Sequence, residues 1–315
     1  MVYEILPRRQ VKVQLPVVLT ATRAELGSRC HRRHVLSDGL EYGLYKSPAA
    51  AFGNIIHAGA ATWWKWTSGY TDAMNAAHAY SAMMETVKQE WERQAITSDK
   101  YSLAMAERMM EAYTQQATLA GVFTGVADWK VLQIEDRVRV PLGDHIFSFQ
   151  NDRALADFDS GRILLVDTKT TSRPDAKWRA QWSRSLQMKL YRKAVQIQYP
   201  DRDIDILVEG IDKNVKPKLH YVVTPHWSDG LLDEAVRQFE EIASKDAELY
   251  RRHLLADGSF DIAGLEEDAL VNTSHNYEDC YSYGMACPFT KLCDAEPEDR
   301  AGILHAEYKH IEQDY

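Results

Sequence analysis

The chain has little cysteine, four residues in 315. That is too few for the disulfide framework of a small secreted protein, and in a reducing compartment such residues serve as metal ligands or small buried hydrophobes. Long hydrophobic runs are missing as well. The longest charge-free stretch, Ser47 to Trp64, reaches 18 residues but holds Pro48, Gly53, Asn54 and His57. A membrane span needs about 20 mostly apolar residues, so this stretch reads as a buried helix. Met1 to Thr20 lacks the charged-then-apolar layout and cleavage site of a secretory signal, which argues for a cytoplasmic protein. There is no glycine-rich Walker loop to cradle nucleotide phosphates, so any unwinding motor must come from a partner. No internal repeat is visible.

What is present is the balance of an ordinary globular chain, 45% hydrophobic and 26% charged, with length for roughly two domains or one with an insertion. The formal charge of −9 argues at first against nucleic acid, whose phosphates need clustered Lys and Arg. Its distribution reverses that inference. Asp229 to Tyr315 holds 21 acidic and seven basic residues, a net −14, which leaves the first 228 residues at +5. Lys169 to Lys193 alone carries +7, from eight basic residues and Asp175. Trp178 and Trp182 are interleaved there at helical spacing, a pattern suited to tracking phosphates and stacking on unpaired bases, or to a solvated helix with its Trp pair in the core.

Pro48 to Ala120 is rich in Ala, Met, Glu and Gln and reads as helical. Leu132 to Pro141 and His145 to Phe158 alternate imperfectly, and Arg162 to Val166 is a short apolar run, so three strands are expected. A helix over Asp175 to Tyr199 follows, ended by Pro200. Two strands, Ile204 to Ile211 and Lys218 to Thr224, a helix from Leu231 to about Leu255, and a cysteine-bearing tail complete the order. Strands interleaved with helices indicate an α/β fold with a mixed sheet.

The apolar run ends in Asp167-Thr168-Lys169, and strand alternation puts Asp167 and Lys169 on one face. Asp152 lies in the preceding expected strand. Hard oxygen ligands from two carboxylates suit Mg²⁺ or Mn²⁺, and a lysine beside them can orient a water or stabilise developing charge. An isolated Asp-x-Lys is equally an exposed strand-end salt bridge. Two neighbouring patterns weigh against that: Gly53-xxx-His57 and Gln187-xxx-Tyr191 each put two residues one helical turn apart.

Taken in order, Gly53-xxx-His57, Asp152, Asp167-Thr168-Lys169 and Gln187-xxx-Tyr191 resemble the RecB-like branch of the PD-(D/E)xK nuclease superfamily. The resemblance implies a restriction-endonuclease-like core, with a mixed central sheet flanked by helices. It implies His57, Asp152, Asp167 and the Thr168 carbonyl as metal ligands, Lys169 as the catalytic lysine, and Gln187 and Tyr191 as positioning the lysine and the DNA strand. The family's usual Gly three residues before the first Asp is Phe149 here, which leaves Asp157 and Asp159 open as alternatives to Asp152. Arg173, Lys177, Trp178, Arg179, Arg184 and Lys189 become candidate DNA contacts.

Cys280, Cys287 and Cys293 fall within 14 residues, 250 positions after Cys30. Four thiolates can hold Zn²⁺ or an iron–sulfur cluster. Arg29-Cys30-His31-Arg32-Arg33 and Cys287-Pro288-Phe289-xx-Leu292-Cys293 are similar to the iron–sulfur nucleases of the same branch, the AddB-like and CRISPR adaptation nucleases. There a 4Fe–4S cluster clasps the two ends of the nuclease domain. The six residues before Cys287 depart from the two that are common there.

The expected organisation is an N-terminal helical part with the first cysteine (1–60), a helical insertion (61–125), a nuclease core (126–255) and an iron–sulfur segment (256–315). The expected function is a metal-dependent DNA exonuclease of recombination or repair. It would act on ends or single strands, beside a helicase or recombinase, in a phage or CRISPR-linked setting. An inactive iron–sulfur DNA-binding module and a Cys₄ zinc protein are the competing readings.

Overall fold

The computed structural model describes residues 17–43, 48–68, 76–116, 129–274, 276, 280 and 286–310. In chain order these begin with β1 (Val18–Thr20), α1 (Ala21–Arg29), α2 (His31–His34), a π turn (Val35–Gly39) and β2 (Tyr42–Gly43). Three helices follow, α3 (Pro48–Thr67), α4 (Ala76–Gln94) and α5 (Leu103–Gln116), then five strands: β3 (Trp129–Ile134), β4 (Arg137–Leu142), β5 (His145–Gln150), β6 (Arg153–Asp157) and β7 (Arg162–Thr171). The rest is α6 (Ala176–Gln181), α7 (Leu186–Gln198), β8 (Asp203–Asp212), β9 (Leu219–Val223), α8 (Asp229–Arg252), α9 (Ile262–Val271), α10 (Thr290–Asp294), α11 (Pro297–Glu307) and β10 (Lys309–His310).

Two compact units divide the chain. Lys46–Val140 with Phe149–Leu232 is the sheet unit; Met1–Tyr45, Pro141–Ser148 and Asp233–Tyr315 form the cysteine unit. The sheet unit is built on a five-stranded mixed sheet of order β3-β6-β7-β8-β9, in which only β7 and β8 run parallel. Parallel neighbours need a crossover, and α6 and α7 supply it. β7 reads as a near-continuous apolar run because it is central and buried from Ile163 to Val166.

Against this sheet pack α3, α4 and α5, whose core includes Phe52, Ile55, Ile56, Met83, Val87, Met109, Met110 and Tyr113, all fully buried. Burial of each large apolar side chain contributes roughly 1.5–3 kcal/mol. A Cβ on Gly59 would stand 2.9 Å from Val87 Cγ2, so glycine there sets how closely α3 and α4 approach.

In the cysteine unit, Thr20 caps α1 by accepting from the Arg23 N–H at 3.3 Å. β1 pairs in parallel with β5, and Phe147 meets Phe239 of α8 edge to face with ring centroids 5.6 Å apart. Asp261 caps α9 at the Gly264 N–H, and β10 pairs with β2.

The α/β fold with a mixed sheet flanked by helices is as expected, while several boundaries are corrected. The first two expected strands are four, because the chain turns at Glu135, in the left-handed region at φ 56°, and again at Asn151 and Asp152. The helix expected over Asp175 to Tyr199 is α6, a 3₁₀ turn at Trp182–Arg184 and α7, since Ser185 is extended and caps α7 at the Met188 N–H. Among its described residues the tail holds three helices, α9, α10 and α11. Of the helical expectation for Pro48 to Ala120, residues 69–75 and 117–120 lie outside the described residues, as do 1–16 of the segment examined for a leader and 281–285 between Cys280 and Cys287.

Candidate active site

β7 turns polar as it leaves the core, and there the site assembles. The antiparallel register pairs Arg153 with Val166, which brings Asp152, one step before β6, to the level of Asp167. Asp152 Oδ1 lies 2.9 Å from His57 Nδ1 of α3, and its Oδ2 accepts the Thr168 N–H. Lys169 Nζ stands 2.8 Å from Asp167 Oδ2. All five sequence-expected residues from α3, β6 and β7 therefore meet at one sheet end. Asp157, an alternative to Asp152, is at the opposite end of β6, where it accepts the Asp159 and Ser160 N–H groups and caps the turn into β7.

These groups perturb one another as a crowded, half-dry cluster must. Burial and the neighbouring Asp152 push the Asp167 carboxyl up, against the pull of Lys169. Burial would also raise Asp152, but the His57 and Lys169 charges and the Thr168 N–H hold it below the usual carboxylate range. Burial opposes charge on His57 and Lys169; Asp152 nevertheless raises the imidazole, and Asp167 keeps the lysine firmly protonated.

Glu135 completes the cluster and was not anticipated. One ligand atom from each of His57, Glu135 and Asp152 falls within 4.8 Å of the others, a span that one cation can bridge. Glu135 Oε2 accepts from Gln150 Nε2 at 2.6 Å, while its buried Oε1 has no hydrogen-bond partner. Burial and Asp152 push this carboxyl up to about 7. An imidazole and two carboxylates this close, one of them with a buried oxygen unpartnered among the described residues, are the donor set of a hard divalent ion, so the residues fit the metal implied by the sequence. A signal for Glu135 does exist. The apolar phase Leu132, Ile134, Val138, Val140 is broken by Asp136, which marks a turn where one continuous strand was expected.

Gln187 Nε2 donates to the Tyr191 hydroxyl at 2.8 Å. Tyr191 is buried, its phenol held above the usual range by burial and by Asp167, so α7 does bring this pair up to the β7 carboxylate and lysine. Phe149, which stands where the family has glycine, packs on the Tyr191 ring with centroids 5.0 Å apart. Arg173, Lys177, Arg179 and Arg184 are exposed and Lys189 is half-buried. Trp178 lies on Gly210, the β8 partner of Lys169; a Cβ there would come within 2.5 Å of the indole. Trp178 also meets Trp182 edge to face at 5.7 Å.

Beneath the site is a second group that sequence reading missed. Arg153 and Glu209, each about 1% exposed, pair at 2.9 Å. Arg153 also donates to the Tyr113 hydroxyl at 2.9 Å and lies over the Trp64 ring at 4.6 Å. Thr168 Oγ1 donates to Glu209 at 3.3 Å. The network ties β6, β7 and β8 together on the face opposite Asp167 and Lys169.

Within the cysteine unit all four thiols are free. Cys30 ends α1; the Cys287 N–H donates to the Cys280 carbonyl at 2.6 Å; Cys293 lies in α10. Burial raises the Cys280 thiol, and Cys287, Cys293 and Cys30 all raise it further by repulsion. Burial also raises Cys287, opposed by Arg33, and Arg32 Nη1 approaches Cys293 Sγ at 3.7 Å. Among the described residues the one group of three or more metal-ligating side chains with ligand atoms within 4.8 Å of one another is His57, Glu135 and Asp152, and it includes no cysteine.

None of the curated proteins compared matches the chain. Among solved structures it is similar to a candidate exonuclease from Eubacterium rectale, at 12% identity and a TM-score of 0.46, with 72% of this chain and 82% of that chain covered. It is also similar to a protein named SSO0001, at 11% identity and a TM-score of 0.31, with 74% and 78% covered. The PD-(D/E)XK nuclease superfamily matches residues 18–294, a span that includes the whole cluster from His57 to Tyr191 and all four cysteines. With that match over most of its length, the chain belongs to the PD-(D/E)XK nuclease superfamily.

Proposed function

We propose that the chain is a Mg²⁺- or Mn²⁺-dependent deoxyribonuclease, an exonuclease on DNA ends or single strands in recombination or repair, carrying a 4Fe–4S cluster on Cys30, Cys280, Cys287 and Cys293. The observation that carries the reading is the Asp167–Lys169 pair at 2.8 Å on β7, set beside the His57–Asp152 contact at 2.9 Å. His57, Asp152 and Asp167, with Glu135 and the Thr168 carbonyl beside them, would hold the divalent cation, which would supply Lewis acidity toward a phosphate and make water more acidic.

The protein's own groups divide the remaining work. Lys169, held beside Asp167 at 2.8 Å, serves to orient the attacking water or to donate to a phosphoryl oxygen that gains negative charge. Asp167 fixes the ammonium in place. Gln187 and Tyr191, braced by Phe149, hold the α7 face against that lysine. Arg173, Lys177, Arg179, Arg184 and Lys189 neutralise the strand backbone, and Trp178, resting on Gly210, offers its remaining surface to a base. In the cysteine unit the mutual repulsion of the thiols and the nearby Arg32 and Arg33 support an iron–sulfur centre. The proposed partners are DNA and a helicase or recombinase that acts on the same strand.

The test is anaerobic purification with iron and sulfide analysis, then incubation of linear end-labelled and covalently closed circular single-stranded DNA with Mn²⁺. Stoichiometric iron and sulfide with loss of linear DNA alone supports the proposal. Degraded circles remove the exonuclease assignment, and zinc without iron removes the cluster.

A further inference from the structure

β7 does not end at Lys169. Two residues on, roughly 7 Å along the strand, the Thr171 carbonyl accepts the Lys213 N–H at 2.9 Å, and Thr171 Oγ1 accepts the Arg173 N–H at 3.1 Å. Thr171 thus anchors two basic residues beside the catalytic lysine. Lys213 follows the end of β8 and is half-buried. Its ammonium lies over two aromatic rings, 5.1 Å from the Tyr101 centroid and 5.6 Å from that of Phe52. Those rings are stacked on each other at 4.8 Å. Lys100 Nζ, on exposed chain after α4, lies 5.6 Å from the same Tyr101 ring.

An ammonium so placed has exchanged water for π faces, which recover only part of its hydration. Burial, followed by repulsion from Lys100, pulls Lys213 down to about 8. No negative charge acts on it among the described residues, and the adjacent Asp212 is occupied by His220 and by the Asn214 and Lys218 N–H groups. A lysine kept only for its aliphatic stem would extend its ammonium to water. Two ammonium groups sharing one aromatic shelf, without an acid, form a site that an anion would complete.

We propose that Lys213 and Lys100 form a phosphate-binding pair at the end of β7, which holds a backbone phosphate of the DNA strand next to the one cleaved at Lys169. The site rests on the nuclease reading and deepens it. Its role is to bind substrate and transition state equally, so its loss raises KM and leaves kcat alone.

The experiment compares wild type with Lys213→Met, Lys213→Arg, Lys100→Met and, as a control on the far sheet edge, Lys130→Met, whose ammonium lies over Phe158. Cleavage of linear single-stranded DNA is followed in Mn²⁺, and binding is followed in Ca²⁺ against salt. Lys213→Met should raise KM about tenfold with kcat within twofold, and flatten the log–log salt slope by about 0.7, the value of one single-strand phosphate contact. Lys213→Arg should restore both, Lys130→Met should change neither, and Lys100→Met, at an exposed position that does not endanger folding, should flatten the slope similarly. A cleaving wild type with unchanged slope and KM in Lys213→Met and Lys100→Met overturns the phosphate pair alone, as does a fall in kcat that arginine does not rescue. A wild type that binds no DNA overturns the nuclease reading and this site with it.

Discussion

Glu135 is the residue on which the metal site turns. One of its carboxylate oxygens lies within 4.8 Å of ligand atoms of His57 and Asp152, and its buried Oε1 has no hydrogen-bond partner among the described residues. Glu135→Gln keeps the shape and the contact with Gln150 while removing the charge. It should weaken Mn²⁺ binding about tenfold by calorimetry, a typical loss for one supporting ligand; unchanged affinity would remove Glu135 from the site. This residue also marks the limit of sequence legibility. Strand alternation places Asp167 and Lys169 on one face, whereas His57, Asp152 and the Thr168 carbonyl are expected as ligands through the family resemblance. Glu135 sits at a left-handed turn where Asp136 alone interrupts an apolar alternation that resumes in phase at Val138, a weak signal beside the strands on either side. Phe149 was legible only as a departure, and its contact with Tyr191 is long-range, beyond any periodicity.

Among elements, β7 was the most legible and the helices of the cysteine unit the least. β7 is buried on both faces and declares itself by composition, whereas α2 is one turn of His, Arg, Arg and His whose burial depends on α8. His34 Nε2 lies 2.7 Å and His31 Nε2 2.9 Å from opposite oxygens of Asp246 on α8, and Asp38 approaches His34 Nδ1 at 3.3 Å. Burial opposes the His34 cation, yet Asp246 and Asp38 raise it from 6.5 to about 9. A raised folded-state value contributes stability that is complete below the unfolded value and is lost as pH rises through the folded one. Wild type should therefore lose on the order of 3 kcal/mol relative to His34→Gln between pH 6.5 and 9.5 in denaturant unfolding. A pH-independent difference would show that the imidazole is neutral in the fold. Asp246, held below the usual range once its burial is outweighed by the two histidines, stays ionised throughout that window.

At the scale of the molecule, a net charge of −9 conceals opposite ends. The acidic end, from Asp229 onward, contains three of the four cysteines; the +7 segment from Lys169 to Lys193 runs from the β7 end through α6 into α7, next to the candidate metal site. The global charge hides this basic segment, and the distribution along the chain exposes it. The α/β class and the order of motifs were also readable, because they depend on local patterns. The division into a sheet unit and a cysteine unit was not, since each gathers segments far apart in sequence. The central claim is that this sheet end hydrolyses DNA with Lys169 as an essential donor, and the most direct measurement compares wild type with Lys169→Ala. Both are matched for folding by circular dichroism and incubated with end-labelled single-stranded DNA and Mn²⁺. Wild type should degrade the DNA and the variant should lose about a thousandfold in rate, at the upper end of what one preorganised donor contributes. A folded Lys169→Ala protein that degrades DNA at the wild-type rate would contradict it.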